Sequence, residues 1–300
     1  MSALRIFVTG RDGQIARSLR EAAADAGDVV MGFGARPSFD LARPESIAAA
    51  IEAFAPDLVV NAAAYTAVDR AESEPELAFA INRDGAGAVA VAAVKVGAAV
   101  IQLSTDYVFD GAKAGPYVET DPTLPQSVYG RSKLEGEQAV AKAALRHIVL
   151  RTSWVYAPFG ANFVRTMLRL AGEQDRLRVV GDQIGCPTYA PDIAVAILSI
   201  GRRIRAGGWR DAYAGVTHLA GPDAVSWCAF ARKIIAKSGG RCVPVDAITT
   251  AERPTPARRP ANSRLASERL ASLFEVRLPP LEASLSRCLS RLREAPGDQA

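Results

Sequence analysis

Apolar positions follow two alternating rhythms along the first half of the chain. Short, nearly unbroken apolar runs occur at Leu4–Thr9, Asp28–Phe33, Pro56–Val60, Ala98–Leu103 and His147–Arg151. Such runs, bounded by turn residues, read as buried strands. Between them the spacing turns helical: Ile15, Leu19 and Ala23 up to a stop at Gly27, then Pro44–Phe54, then Glu72–Lys95 with a break or bend at Asn82-Arg83-Asp84-Gly85, then Tyr129 to about Leu145. Strands alternating with helices at this spacing predict a parallel sheet with right-handed crossovers and helices on both faces. After Thr152 the alternation loosens. Ser153–Tyr156 reads as the end of the fifth strand, followed by a helix at Asn162–Ala171, a strand at Arg176–Val180, a helix at Asp192–Arg205 and a strand at Val216–Ala220 that returns to the sheet. Helices at Ser226–Ser238 and Pro280–Arg293 flank a Pro/Arg-rich segment, and the last few residues read as unstructured.

Composition narrows the class. Of 300 residues, 49% are hydrophobic and 23% charged, the balance of a soluble globular chain. Lys and Arg number 36 against 32 acidic residues, a net charge of +4, and no basic run resembles a nucleic-acid arm. The four cysteines (Cys186, Cys228, Cys242, Cys288) form no C-x-x-C pair, and two histidines supply no zinc-ligand spacing, which predicts free thiols in a reducing compartment. No basic-then-apolar leader precedes Leu4, and Asn61 and Lys95 interrupt the apolar stretches short of a membrane span. The expectation is a soluble cytoplasmic protein without a nucleic-acid or membrane partner.

Candidate chemistry lies at the strand ends. The turn Gly10-Arg11-Asp12-Gly13-Gln14-Ile15-Ala16 joins the first strand to the first helix, where glycines let backbone approach a pyrophosphate at a helix N-terminus. Such glycine spacing alone also fits an ordinary turn; its position at the first strand–helix junction favours nucleotide binding. The second strand ends in Gly32-Phe33-Gly34 rather than an acid for a ribose 2′-hydroxyl, and Arg36 follows, which leans towards NADPH over NADH. The third strand ends in Asn61-Ala62-Ala63-Ala64-Tyr65-Thr66, small residues that let a cofactor lie against backbone or a helix pack closely. The fourth strand runs into Ser104-Thr105-Asp106-Tyr107-Val108-Phe109, and a proline-punctuated loop leads to Tyr129-Gly130-Arg131-Ser132-Lys133. Tyr129 and Lys133 share one helix face. A Tyr-x-x-x-Lys pair occurs by chance in many helices, and Ser104 and Thr105 could be plain strand-end caps. In chain order with the glycine turn they make a hydride-and-proton apparatus, with Thr105 orienting a carbonyl, Tyr129 supplying the proton and Lys133 tuning Tyr129. The predicted fold class is therefore α/β, a Rossmann-type doubly wound parallel sheet with a smaller C-terminal domain. Residues 1–155 form the nucleotide-binding domain, 190–220 return to it, and 156–300 form a cap of interleaved segments.

These motifs, in this order, resemble the extended short-chain dehydrogenase/reductase superfamily and, more closely, the dTDP-4-dehydrorhamnose reductases. The resemblance spans nearly the whole chain and includes Asn61–Asp69, Ser104–Phe109, Arg151–Tyr156, Asp182-Gln183-x-Gly185-x-Pro187-Thr188 and Pro256–Ser263. It implies that Thr105, Tyr129 and Lys133 are catalytic and that Gly10, Gly13, Gln14 and Ile15 hold the cofactor pyrophosphate. Asp40 and Leu41 would border adenine, while Ala63, Ala64, Tyr65, Thr66 and Leu103 would line the nicotinamide side. Thr105, Asp106 and Trp154 would touch the sugar of a nucleotide-sugar substrate, with Arg259 and Asn262 at its diphosphate. The implied cofactor is NADPH, with NADH open as a second, and the cap becomes a substrate-binding domain. Two departures stand out: the missing acid after strand two, and Pro191 where some relatives place an intersubunit metal ligand, so no metal site is expected. A homodimer is the candidate assembly. A reductase or epimerase acting on another nucleotide sugar, or a nucleotide-binding regulatory subunit, stays open as an alternative.

Overall fold

The computed structural model describes residues 2–24 and 26–294; the chain end expected to be unstructured lies outside the described residues. β1 (Leu4–Thr9) turns into α1 (Gln14–Ala24), followed by β2 (Val29–Gly34), α2 (Ile47–Phe54) and β3 (Leu58–Asn61). Two short helices, α3 (Val68–Ala71) and α4 (Pro75–Phe79), lead through a π-helical turn at Ala80–Gly85 into α5 (Ala86–Lys95). β4 (Ala99–Thr105), α6 (Val128–Ala143) and β5 (His147–Thr152) continue the alternation. The remainder holds β6 (Val155–Tyr156), α7 (Phe163–Glu173), β7 (Leu177–Val180), β8 (Ile184–Gly185), β9 (Thr188–Tyr189) and α8 (Ala190–Gly207). β10 (Gly215–His218), β11 (Val225–Ser226), α9 (Trp227–Lys237), β12 (Val245–Ile248), β13 (Asn262–Ser263), α10 (Glu268–Phe274) and α11 (Leu281–Glu294) complete it.

The main sheet has the order β10-β5-β4-β3-β1-β2, every pairing parallel. The chain leaves β1 towards β2 and then crosses to β3 on the other side, so the order reverses at β1. Ligands of open α/β sheets bind at the carboxyl ends of strands beside such a reversal, which here means Thr9, Asn61 and Thr105. One face of the sheet packs on α1, α8 and α10 through Leu19, Ile193, Ile197, Ile200, Leu270 and Phe274; the other packs on α2 and α5 through Ile47, Ile51, Val89 and Ala93. A separate apolar cluster joins α7, α9 and α11 with β7 and β12.

Several expectations change. Ser153–Tyr156 does not prolong β5: Trp154 takes a positive φ of 49°, and β6 leaves the sheet to pair with β9. The bend at Asn82–Gly85 is a widened turn inside one rod from Pro75 to Lys95. That rod is long and apolar enough to cross a membrane by length and composition, because its apolar residues cover the sheet and α6. β12, β13 and α10 were not foreseen, since two- to seven-residue elements carry too few positions to show a period. At the end of β2 the space beside Gly34 is filled by the rings of Phe39 and Phe7, and that beside Gly32 by Phe54, so aromatic packing occupies the place where an acid was sought.

The sheet is tied to α6 by a buried ion pair. Arg151 on β5 donates to both oxygens of Glu137 at 2.9 and 2.6 Å, and their side chains are only 4% and 5% exposed. Ser104 also donates to Glu137. Breaking a buried pair strands a charge, which outweighs the modest net worth of the intact pair. Arg151→Met is expected to lower unfolding free energy by about 3–5 kcal/mol, read as a drop in the urea midpoint with an unchanged slope.

Candidate active site

Each candidate group is placed by a distinct local device. Ser127 caps α6, its hydroxyl accepting from the Gly130 amide at 3.1 Å, while Glu72 accepts from the Val128 amide at 2.8 Å. This fixes the first turn of α6 and with it Tyr129. Gly136, one turn beyond Lys133, lies so close to the π-helical turn that a Cβ would overlap the Asn82 carbonyl, which is why α6 carries glycine there. Asn82, 2% exposed, accepts from the Tyr65 amide at 2.8 Å and donates to the Tyr65 carbonyl at 3.1 Å and to Ser132 at 2.9 Å. Ser132 in turn donates to the Tyr129 carbonyl at 2.8 Å. Asn82 thus registers the Ala63–Thr66 segment against the Tyr129–Lys133 turn. Sequence reading passed over it as part of a bend; an Asn inside an apolar helical run was the available signal.

Thr105, Tyr129 and Lys133 converge at the carboxyl end of β4. The Thr105 hydroxyl donates to Asp106 at 3.1 Å, accepts from the Tyr107 amide at 3.2 Å and lies against the Tyr129 phenol. Burial drives the Tyr129 phenol above its ordinary range, and the neighbouring Thr105 hydroxyl only partly offsets this. The expected ammonium beside Tyr129 is instead drawn to backbone: Lys133 Nζ donates to the Leu103 carbonyl at 2.6 Å. Tyr129 is therefore a protonated phenol, as a proton donor requires. Desolvation lowers Lys133 to about 8, with Glu137 pulling the other way.

Asp106 is 3% exposed, and its Oδ2 is buried without a hydrogen-bond partner. Burial lifts its carboxyl to about 6, opposed by the hydroxyls of Ser263 and Thr105. Tyr107 meets Tyr129 edge to face at 5.6 Å and accepts at its hydroxyl from Arg259 at 3.1 Å; Arg259 also pairs with Asp69 at 2.8 Å. Arg259 therefore stands one ring from Tyr129, joined to α3. Trp154 is half-buried and stacks on Trp227 at 3.4 Å and 7°, with Phe163 against the far partner at 4.4 Å. Trp227 is a second group that sequence reading missed. Asn262 is not aimed at the same space. Both of its amide hydrogens go to the carbonyls of Lys113 and Gly115 at 2.8 Å, and its oxygen accepts twice from Arg264, which fills its capacity and makes it a staple of the 113–115 loop.

At the first turn, Gly10 has φ +82°, a conformation that excludes most side chains, and nothing lies within 4 Å of the space beside Gly13. Gly13 precedes α1, where Gln14 starts the helix and Ile15 packs against the core. Ala63 lies across from Gly10 and donates to Thr9 at 3.0 Å. Ala64 and Tyr65 are half-buried beside it, Thr66 is exposed, and Tyr65 donates to Glu74. Asp40 accepts from the Ala42 amide at 3.0 Å, and buried Leu41 packs with α2 and α5.

A glycine turn at the reversal of a parallel sheet, facing a Thr, Tyr and Lys at its centre, defines a nucleotide-dependent short-chain dehydrogenase/reductase. The RmlD substrate binding domain family matches residues 4–294. The chain is 53% identical over 288 residues to the dTDP-4-dehydrorhamnose reductase of Sinorhizobium fredii, covering 95% of this chain and 96% of the relative. It is 40% identical to that of Escherichia coli K12, covering 96% and 98%. A solved dTDP-4-dehydrorhamnose reductase of Bacillus anthracis in complex with NADP superposes with a TM-score of 0.89 at 34% identity, covering 96% and 99%. The chain belongs to the dTDP-4-dehydrorhamnose reductase family.

A lysine holds its proton below its pKa and releases it above. Carbonyl reduction that relies on the Lys133 ammonium is therefore expected to keep its kcat/KM below about pH 8 and lose it as pH rises further. A pH profile of Lys133→Met, lower overall, should lack that alkaline limb.

Proposed function

We propose that this protein reduces the C4 ketone of dTDP-4-dehydro-L-rhamnose to give dTDP-L-rhamnose, with NADPH as the hydride donor. The observation that carries this reading is the convergence of Thr105, Tyr129 and Lys133 at one strand end in a chain matched end to end by dTDP-4-dehydrorhamnose reductases. The residues present fit a dinucleotide: Gly10 makes the positive-φ turn against Ala63, Gly13 leaves open backbone before α1 for a pyrophosphate, and Gln14 and Ile15 open that helix. Asp40 and Leu41 border the adenine end, Ala63, Ala64, Tyr65, Thr66 and Leu103 the nicotinamide end, and exposed Arg36 is the cation for a 2′-phosphate. Bound NADPH supplies the hydride.

The chain's own residues do the rest. Thr105 holds the substrate carbonyl oxygen beside the Tyr129 hydroxyl. Tyr129 gives its proton to that oxygen as the carbonyl carbon gains hydride, which a phenol kept neutral by burial can do. Charge then develops on Tyr129 in a dry site, where the Lys133 ammonium favours the phenolate. Asp106, with one unpartnered buried oxygen, takes a sugar hydroxyl; Trp154 bounds the sugar, and the Arg259 guanidinium, held by Tyr107 and Asp69, meets the diphosphate. Residues 1–155 with 190–220 serve the cofactor and 156–300 the nucleotide sugar. The enzyme works in the cytoplasm, as a homodimer, without nucleic-acid or membrane partners; its two charged reactants do not cross a bilayer unaided.

Purified protein given dTDP-4-dehydro-L-rhamnose should oxidise NADPH, with Tyr129→Phe slower by about 10²- to 10⁴-fold. No oxidation above that variant rejects the reading. Arg36→Ala should raise the KM for NADPH by about tenfold and leave that for NADH unchanged, measured by initial rates with each cofactor.

A further inference from the structure

A row of polar side chains crosses three neighbouring strands of the sheet at or just before their carboxyl ends. Thr9, Asn61 and Gln102 sit directly across from one another on β1, β3 and β4, whereas the preceding row is Val8, Val60 and Ile101. All three are buried to 1% exposure or less. Their hydrogen bonds run in one direction. The Ala63 amide donates to Thr9 at 3.0 Å, Thr9 to Asn61 at 2.6 Å, Asn61 to Gln102 at 2.7 Å, and Gln102 to the Leu103 carbonyl at 2.9 Å. That carbonyl also receives Lys133 at 2.6 Å. Buried amides must be paired somewhere, so mutual satisfaction alone could account for the row. It does not account for why the row begins at the Ala63 segment and ends on the oxygen that holds the ammonium.

We propose that Gln102 is a positioning residue for Lys133, fixing the Leu103 carbonyl on which the ammonium rests. A chain of donors aligned head to tail polarises each member, which strengthens the last bond and holds that oxygen in place. Gln102 also shares the oxygen's acceptor capacity, so the carbonyl is not left to Lys133 alone. The inference rests on the proposed role of Lys133 in reduction.

The groups facing Lys133 stay the same when Gln102 is changed. The charged group that acts on Lys133 is Glu137 on α6, with Arg151 on β5 behind it; Asp106 and Tyr107 act on Tyr129, and Arg83 is engaged with Asp84 and Glu135. In Gln102→Met, nearly equal in size but without a polar amide, the Leu103 carbonyl loses one of its two side-chain donors and keeps Lys133. A stronger bond to the charged form favours it, so Lys133 should titrate at higher pH than in the native chain. Its ¹⁵Nζ resonance, assigned with Lys133→Met, reads this without any turnover.

In the reductase assay Gln102→Met should lose about tenfold in kcat, with the KM for the ketosugar within about twofold of native. Gln102→Glu keeps one donor and one acceptor while its carboxyl is protonated, so kcat should recover towards native at acid pH and fall away as it ionises. A folded Gln102→Met with native kcat and native Lys133 titration overturns the proposal. If that variant does not fold, Gln102→Glu without acid-side recovery overturns it. If the native protein oxidises no NADPH, the reductase reading fails, and the Lys133 titration still decides the role of Gln102.

Discussion

Burying polar groups at the carboxyl edge of the sheet demands that each find a partner, and the rest of the site follows from how that demand is met. Lys133 and Glu137 sit one helical turn apart on α6, and both are about 95% buried. Each is satisfied from the sheet, Lys133 by the Leu103 carbonyl and Glu137 by Arg151 and Ser104. These contacts hold α6 against β4 and β5 at a fixed height. Tyr129, one turn above Lys133, is thereby delivered beside Thr105. A single helix thus carries a structural ion pair and the proposed proton donor, and the first sets the reach of the second.

The same dryness determines the acid–base character of the groups. Desolvation raises Tyr129 and Asp106 and lowers Lys133, and in each case it outweighs the opposing partner. Tyr129 is kept protonated and Asp106 stays close to half-protonated near pH 6, while Lys133 sits nearer neutrality than a solvated lysine. His218 shows the rule away from the site: burial and Arg151 lower it to about 3, so it packs as a neutral ring beside Phe109. For a reduction that consumes a proton, a phenol kept protonated one helical turn from a readily titrated ammonium is a coherent arrangement.

Segments of the second half of the chain supply the other wall by leaving the sheet, to which only β10 returns as a strand among the described residues. The positive φ at Trp154 ends β5, turns the indole onto Trp227 and lets β6 pair with β9. The Pro256–Asn262 segment then returns to the sheet edge, where Arg259 bridges Asp69 and Tyr107 and β13 lies beside β8. Residues nearly two hundred positions apart are brought to one face of Tyr129 by two hydrogen bonds, one of them an ion pair.

Much of this was written locally in the chain. Five apolar runs and the helical spacing between them determined the doubly wound sheet, since buried parallel strands need continuous apolar faces and their crossovers need helices. The glycine turn, Thr105, Tyr129 and Lys133 were legible because each sits at a fixed offset from a strand or helix end. Long matched segments pointed to the family. Tertiary structure alone decided what depends on distant partners. It showed that Lys133 rests on backbone rather than on Tyr129, that Asn82 clamps two walls together, and that Asn262 staples a loop. It also showed that aromatic rings fill the end of β2. Those outcomes depend on which groups compete for a buried hydrogen bond or a packing space, and the competitors lie tens to hundreds of residues away in the sequence.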